Sequence, residues 1–217
     1  ATSNFETVNY TVGNNVQSTV TGSNGNGVDA ATTFNLLGGD SLTTFAIDFV
    51  SPASLTKIDY SGYTGKSTAS TFAASQLVNT MDVVGSAGTD TVTATTANNN
   101  AAVKSMSDVE TLKINVAGGA TAFDFAKTSG LTKVQLDDDG TARIATLTDL
   151  YAGVTVEVEH GITASGVVID QVNKTDLDNT QTVEIKTTAT DTHTYSIDAS
   201  DIETLTVKMS DASKIDL

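Results

Sequence analysis

Val109-Glu110-Thr111-Leu112-Lys113-Ile114, Leu131-Thr132-Lys133-Val134-Gln135-Leu136 and Gly153-Val154-Thr155-Val156-Glu157-Val158 are three copies of one figure. Each reads apolar, two residues, apolar, one residue, apolar, with Gly153 in the first apolar slot of the third copy. Leu112, Val134 and Val156 follow one another at intervals of 22 residues. The figure returns 27 residues later at Val183 and Ile185, and again at Ile202, Leu205 and Val207, where Leu205 stands 22 residues after Val183. Upstream, Leu55, Ile58 and Tyr60 fit it too. A fixed interval of this size marks a solenoid, in which each repeat is one coil and buries its apolar face against the next.

A second figure travels with the first. Ala46-Ile47-Asp48-Phe49 precedes Leu55-Thr56-Lys57-Ile58, and Ala122-Phe123-Asp124-Phe125 precedes Leu131-Thr132-Lys133-Val134, displaced by 76 residues at both places. Each coil is therefore expected to hold two short strands, one ending near an Asp and one carrying the apolar triplet. Asp170, Asp198 and Asp216 close further copies of the Asp-bearing strand. Stacked in one column, these carboxylates would lie about 4.8 Å apart, which is unfavourable without intervening cations or donors. The plainer reading is an Asp that points outward at each strand end.

Composition supports an all-β chain. Thr and Val are abundant, and branching at Cβ favours extended backbone. Gly, Asn and Asp supply turns. The expected fold is a right-handed parallel β-solenoid, of the β-helix or β-roll kind, with irregular coils. A leucine-rich-repeat-like solenoid is the alternative, with Ile144, Leu147 and Leu150 on a helical back. Residues 1–33 read as an irregular N-terminal segment or cap. Residues 34–100 read as irregular coils, and 101–217 as regular coils of about 22 residues. Thr71–Thr80 is the best helix candidate. The absence of a starting Met and the break in mid-pattern at Leu217 are expected of a piece of a longer protein.

The 217 residues carry 11 basic and 26 acidic side chains, a formal net charge of −15. That balance speaks against nucleic acid and anionic membrane as partners. No apolar run reaches the roughly 20 residues of a membrane helix, so no membrane insertion is expected. There is no Cys, which excludes disulfides, thiolate nucleophiles and Cys-ligated zinc. His160 and His193 lack the spacing of a zinc pair. No Gly-x-Ser-x-Gly elbow or phosphate-binding loop is present. Glu157 and Glu159 share one face of a strand as a glycosidase pair would, but two acids at that spacing more often form a solvated face. No enzyme is expected.

Gly85-Ser86-Ala87-Gly88-Thr89-Asp90-Thr91-Val92-Thr93 resembles the nonapeptide of repeats-in-toxin proteins, with Ser86 in place of the second Gly. Gly38-Gly39-Asp40-Ser41-Leu42 is a shorter echo. Val109-Glu110-Thr111-Leu112 and Ile202-Glu203-Thr204-Leu205 are similar to coils of bacterial surface-layer (S-layer) proteins of that type. The resemblance implies Ca²⁺ held at Gly/Asp turns, with Asp90 as ligand, Val92 in the core and Gly88 in the turn. It also implies secretion to the extracellular bacterial surface by a type I system, and a coat built of copies of the chain. Cell-surface polysaccharide would be met through another region.

Asp-rich turns suit a hard cation that takes oxygen ligands. On that ground Asp90 with Asp82, Asp40, the run Asp137-Asp138-Asp139 before Gly140, and Asp176 with Asp178 are candidate Ca²⁺ residues. Each has an ordinary alternative as a solvated turn. An adhesin stalk or carbohydrate-binding module on the same scaffold is the second functional reading, with Tyr60, Tyr63 and Phe72 as an exposed aromatic platform.

Overall fold

A computed structural model describes residues 6–13, 19–23, 31–40, 44–49, 54–72, 80–97, 101–117, 121–138, 144–159, 165–172, 179–186 and 195–210. Among them the regular structure is all strand. The first ten strands are β1 (Thr7–Val12), β2 (Thr19–Ser23), β3 (Thr33–Gly38), β4 (Thr44–Phe49), β5 (Lys57–Tyr63), β6 (Ser67–Phe72), β7 (Asp82–Val84), β8 (Thr89–Ala97), β9 (Ala101–Ala102) and β10 (Ser105–Ser107). The rest are β11 (Thr111–Ala117), β12 (Thr121–Asp124), β13 (Lys133–Asp138), β14 (Ile144–Leu150), β15 (Thr155–Glu159), β16 (Ser165–Gln171), β17 (Thr180–Lys186), β18 (Tyr195–Asp198) and β19 (Thr204–Ser210). They pair in parallel and stack as a β-solenoid.

The chain divides into two compact units. Unit 1 comprises Ala1–Ala94, Val103–Leu112 and Lys127–Leu131; unit 2 comprises Thr95–Ala102, Lys113–Ala126 and Thr132–Leu217. In unit 1, β1-β3-β5-β7-β10 form one parallel sheet and β2-β4-β6-β8 a second parallel ladder. In unit 2 the sheet order is β9-β12-β14-β16-β18, alongside a ladder β11-β13-β15-β17-β19. Within each unit a coil adds one strand to each of two sheets, as the paired figures predict; the alternation breaks at β9, which pairs with β12, and β10, which pairs with β7. β1 and β2, from the segment read as an irregular cap, pair with β3 and β4.

Alternation of side chains places the core. Phe34, Leu36, Phe45, Phe49, Ile58, Tyr60, Tyr63 and Phe72 are buried in unit 1, where Phe49 stacks on Phe72 at 4.9 Å and meets Phe34 edge-on at 5.6 Å. Unit 2 fills its core mainly with aliphatics: Val134, Leu136, Val156, Val158, Val183 and Ile185 are all buried. Rings at such distances gain about 0.5–1.5 kcal/mol beyond area burial.

The triplets predict the register at two of the junctions. Val134 pairs with Val156 and Val156 with Val183, so the 27-residue interval keeps the ladder aligned. At the next junction the register differs from the expectation. Val183 pairs with Val207, not Leu205, a step of 24 residues. Gly153 is not an apolar slot; it is exposed with φ +85°, and Val154 is buried beside it.

Three further readings meet the structure. Ile144–Leu150 is a strand, not a helical back, so the leucine-rich alternative does not hold. Thr71 and Phe72 close β6 and Thr80 lies in a turn; the intervening 73–79 lie outside the described residues. The Asp residues do not stack on one another: Asp48 pairs with Thr71, Asp124 with Thr148 and Asp198 with Val168. Asp124 instead accepts the Ala126 N–H at 2.8 Å and turns the chain after β12. Asp216 lies outside the described residues.

Candidate functional site

The segment resembling a calcium turn, Gly85 to Asp90, forms the corner between β7 and β8 in unit 1. Asp90 is 1% exposed. Its Oδ1 accepts Thr68 Oγ1 at 2.5 Å and Ser86 Oγ at 3.0 Å, and its Oδ2 accepts Ser86 N at 2.5 Å. Gly88 N donates to Ser86 Oγ at 3.0 Å, and Asp90 N donates to Glu110 Oε2 at 2.7 Å. A buried carboxylate needs such donors, because losing water without replacing its hydrogen bonds costs several kcal/mol.

The glycines answer to neighbouring coils. A Cβ at Gly85 would fall 1.6 Å from the Asp108 carbonyl oxygen, and one at Gly88 would fall 2.6 Å from that of Lys66. Asp108 itself takes the left-handed backbone, φ +55°, which Asp tolerates better than most residues. The turn is therefore a packing corner clamped by the coils on either side. Calcium requires six to eight free oxygen ligands. At Asp90 both oxygens already receive protein hydrogens, so as arranged the corner does not fit the ion that the resemblance implies.

Asp40 comes to the same region. The Tyr63 ring, fully buried, lies where a Cβ on Gly39 would fall 2.5 Å from its Cε2 and one on Gly65 would fall 2.1 Å from its Cζ. Burial pushes the Tyr63 phenol up, and the charges of Asp40 and Asp90 push it further. Asp82 does not join them. It sits on β7, in the other sheet, and its carboxylate binds Lys104 Nζ and Ser105 Oγ, both at 2.6 Å. Those two bonds hold it below the usual carboxylate range. Asp137, on β13 in unit 2, pairs with Lys113 at 3.2 Å. Asp138 ends β13; Asp139, Asp176, Asp178 and both His residues lie outside the described residues. Among the described residues no three His, Cys, Asp or Glu side chains converge as a metal site.

The aromatic platform is absent from the places expected. Tyr60, Tyr63 and Phe72 are core residues, exposed by 1% or less. Tyr60 Oη meets Ser70 Oγ at 2.5 Å inside unit 1.

The strongest electrostatic site lies in unit 2, and sequence reading placed it wrongly. Glu157 is not on a solvated face; its side chain is wholly enclosed. It accepts Gln135 Nε2 at 2.5 Å, Lys133 Nζ at 3.1 Å and Lys186 Nζ. Burial pushes the Glu157 carboxyl up, but Lys186, Gln135 and Lys133 outweigh it and bring it down to about 2. Around it, Lys113 bridges Asp137 at 3.2 Å and Glu159 at 3.1 Å, and Lys208 reaches Glu184 at 3.1 Å. These outward residues come from β11, β13, β15, β17 and β19, so the pairs join coil to coil. A paired acid of this kind is no glycosidase acid, which requires a raised pKa and an open cleft.

In comparisons with known proteins, the chain matches no family model, no curated protein and no solved structure. Its fold and its sites define a β-solenoid scaffold with polar fastenings between coils. No helix among the described residues is long and apolar enough to cross a membrane.

Proposed function

We propose that this chain is a structural segment of a bacterial cell-surface layer, exported, and assembling with copies of itself. The observation that supports this reading is the fastening between coils. In unit 2, lysines and carboxylates bridge successive strands across the outward face. In unit 1, the glycine corner locks consecutive coils by backbone contact. Both devices stiffen a wall and leave little of their own chemistry for turnover. Calcium, in this reading, orders the assembly at acidic turns other than that of Asp90.

The test is a thermal melt by circular dichroism in millimolar Ca²⁺ and in chelator, with light scattering on the same samples. A cation that binds only the folded state raises the melting temperature with concentration. The coat reading expects that rise together with particle growth. Identical melts and unchanged particle size in Ca²⁺ and chelator would overturn it. The adhesin reading draws on a separate feature of unit 1.

A further inference from the structure

We infer that the outward face of β3 and β5 in unit 1 is a binding groove for a neutral, polyhydroxylated ligand, a short saccharide. The inference stands apart from the coat reading and uses different residues. The groove is open and shallow, with a volume of about 460 Å³ and a lining that is as much polar as apolar. It lies where the ladder slips. Asn35 pairs with Asp59 but Leu37 pairs with Gly62, so β5 carries one more residue than β3 across this step. Such bulges re-aim side chains and recur beside sites.

The groove is held ready by its own bonds. Asp59 Oδ1 accepts Ser61 Oγ at 2.6 Å and Ser61 N at 3.0 Å, while Lys57 lies 3.0 Å from Asp59 Oδ2. Asn35 donates to Asn9 Oδ1 at 2.8 Å, leaving its own oxygen as an acceptor. Thr33 adds a hydroxyl. Leu37, 38% exposed, lies over Gly62, where a Cβ would come within 2.4 Å of its Cδ2. That offers an apolar patch for the C–H face of a sugar ring.

Charge selects the ligand. Lys57 and Asp59 cancel each other, and the chain's net charge of −15 repels polyanions. A free cation finds Asp59 already bonded to Ser61 and Lys57. An array of hydroxyl, amide and paired charges, with one aliphatic floor, matches ring hydroxyls.

The experiment is a ¹H–¹⁵N titration of the whole chain with malto-, cello- and manno-oligosaccharides, run beside an acidic oligosaccharide and inorganic phosphate. A neutral oligosaccharide is expected to shift the amides of Asn35, Leu37, Ser61 and Gly62. Asn35→Ala and Ser61→Ala are each expected to weaken binding about tenfold, the loss of roughly one hydrogen bond. Thr182→Ala, on unit 2, is expected to bind as the parent does. Circular dichroism melts confirm that each variant is folded. The inference is overturned if no neutral sugar moves those amides, if phosphate or the acidic sugar moves them in preference, or if both groove variants bind unchanged. Particle growth in calcium bears on the coat reading alone.

Discussion

Glu157 shows how far one residue depends on coils remote in sequence. Its cations, Lys133 and Lys186, stand 24 and 29 residues away. Glu157→Ala leaves two half-exposed lysines and the Gln135 amide facing an empty slot, and stability is expected to fall by about 1–2 kcal/mol. Urea denaturation of parent and variant measures it. The pH dependence follows from the depressed carboxyl. Its contribution is complete above the ordinary value of 4.5 and is lost as pH falls to about 2. Water just beyond the lysine stems screens the pair, so that limb is worth on the order of 1 kcal/mol. Glu157→Gln is expected to flatten the stability profile between those two pH values and leave its slope near neutrality unchanged.

Asp90 carries the matching residue-scale prediction in unit 1. Asp90→Ala strands the Ser86 N–H and the Thr68 hydroxyl, with an expected cost of about 2–3 kcal/mol. The variant's melting temperature is expected to respond to calcium by the same increment as the parent's. Loss of the increment would return Asp90 to the role of ligand. The nonapeptide was legible as a turn because its glycines are local. Its chemistry was not, since the hydroxyl on Oδ1 comes from Thr68, 22 residues back on another coil.

At the scale of the element, period and face were readable and register only partly so. Alternating strands keep the same face after a slip of two residues. Leu205-Thr206-Val207 and Val207-Lys208-Met209 both satisfy the apolar pattern, which is why spacing chose Leu205 where the ladder takes Val207. The corners make a sharper test. Gly85→Ala drives a methyl into the Asp108 carbonyl, a backbone atom that cannot rotate away, and is expected to cost about 3 kcal/mol or more. Gly153→Ala meets open space and pays only for its positive φ, about 1–2 kcal/mol. The difference between their midpoints in urea separates close approach from backbone strain.

For the whole chain, the fold was legible because each coil states it again. Aliphatic, aromatic and glycine positions recur at intervals that parallel strands impose on them. The sites were less legible, because every one of them spans two coils or more and no single segment contains it. Hydrogen exchange is expected to follow the same logic: the amides of β15, flanked by β13 and β17, exchange more slowly than those of β19, whose Leu205 and Met209 are 38% and 41% exposed. Equal rates along the ladder would mean that unfolding spreads across the coils as one event.

Between Val156 and Val183 the interval lengthens, yet the two still lie side by side. The ladder counts strands, not the residues that connect them. A gene for such a chain is then free to lengthen a connection between strands while the ladder keeps its gauge. Length can then change in single events of insertion, and selection can act on the connections without touching what bears the load.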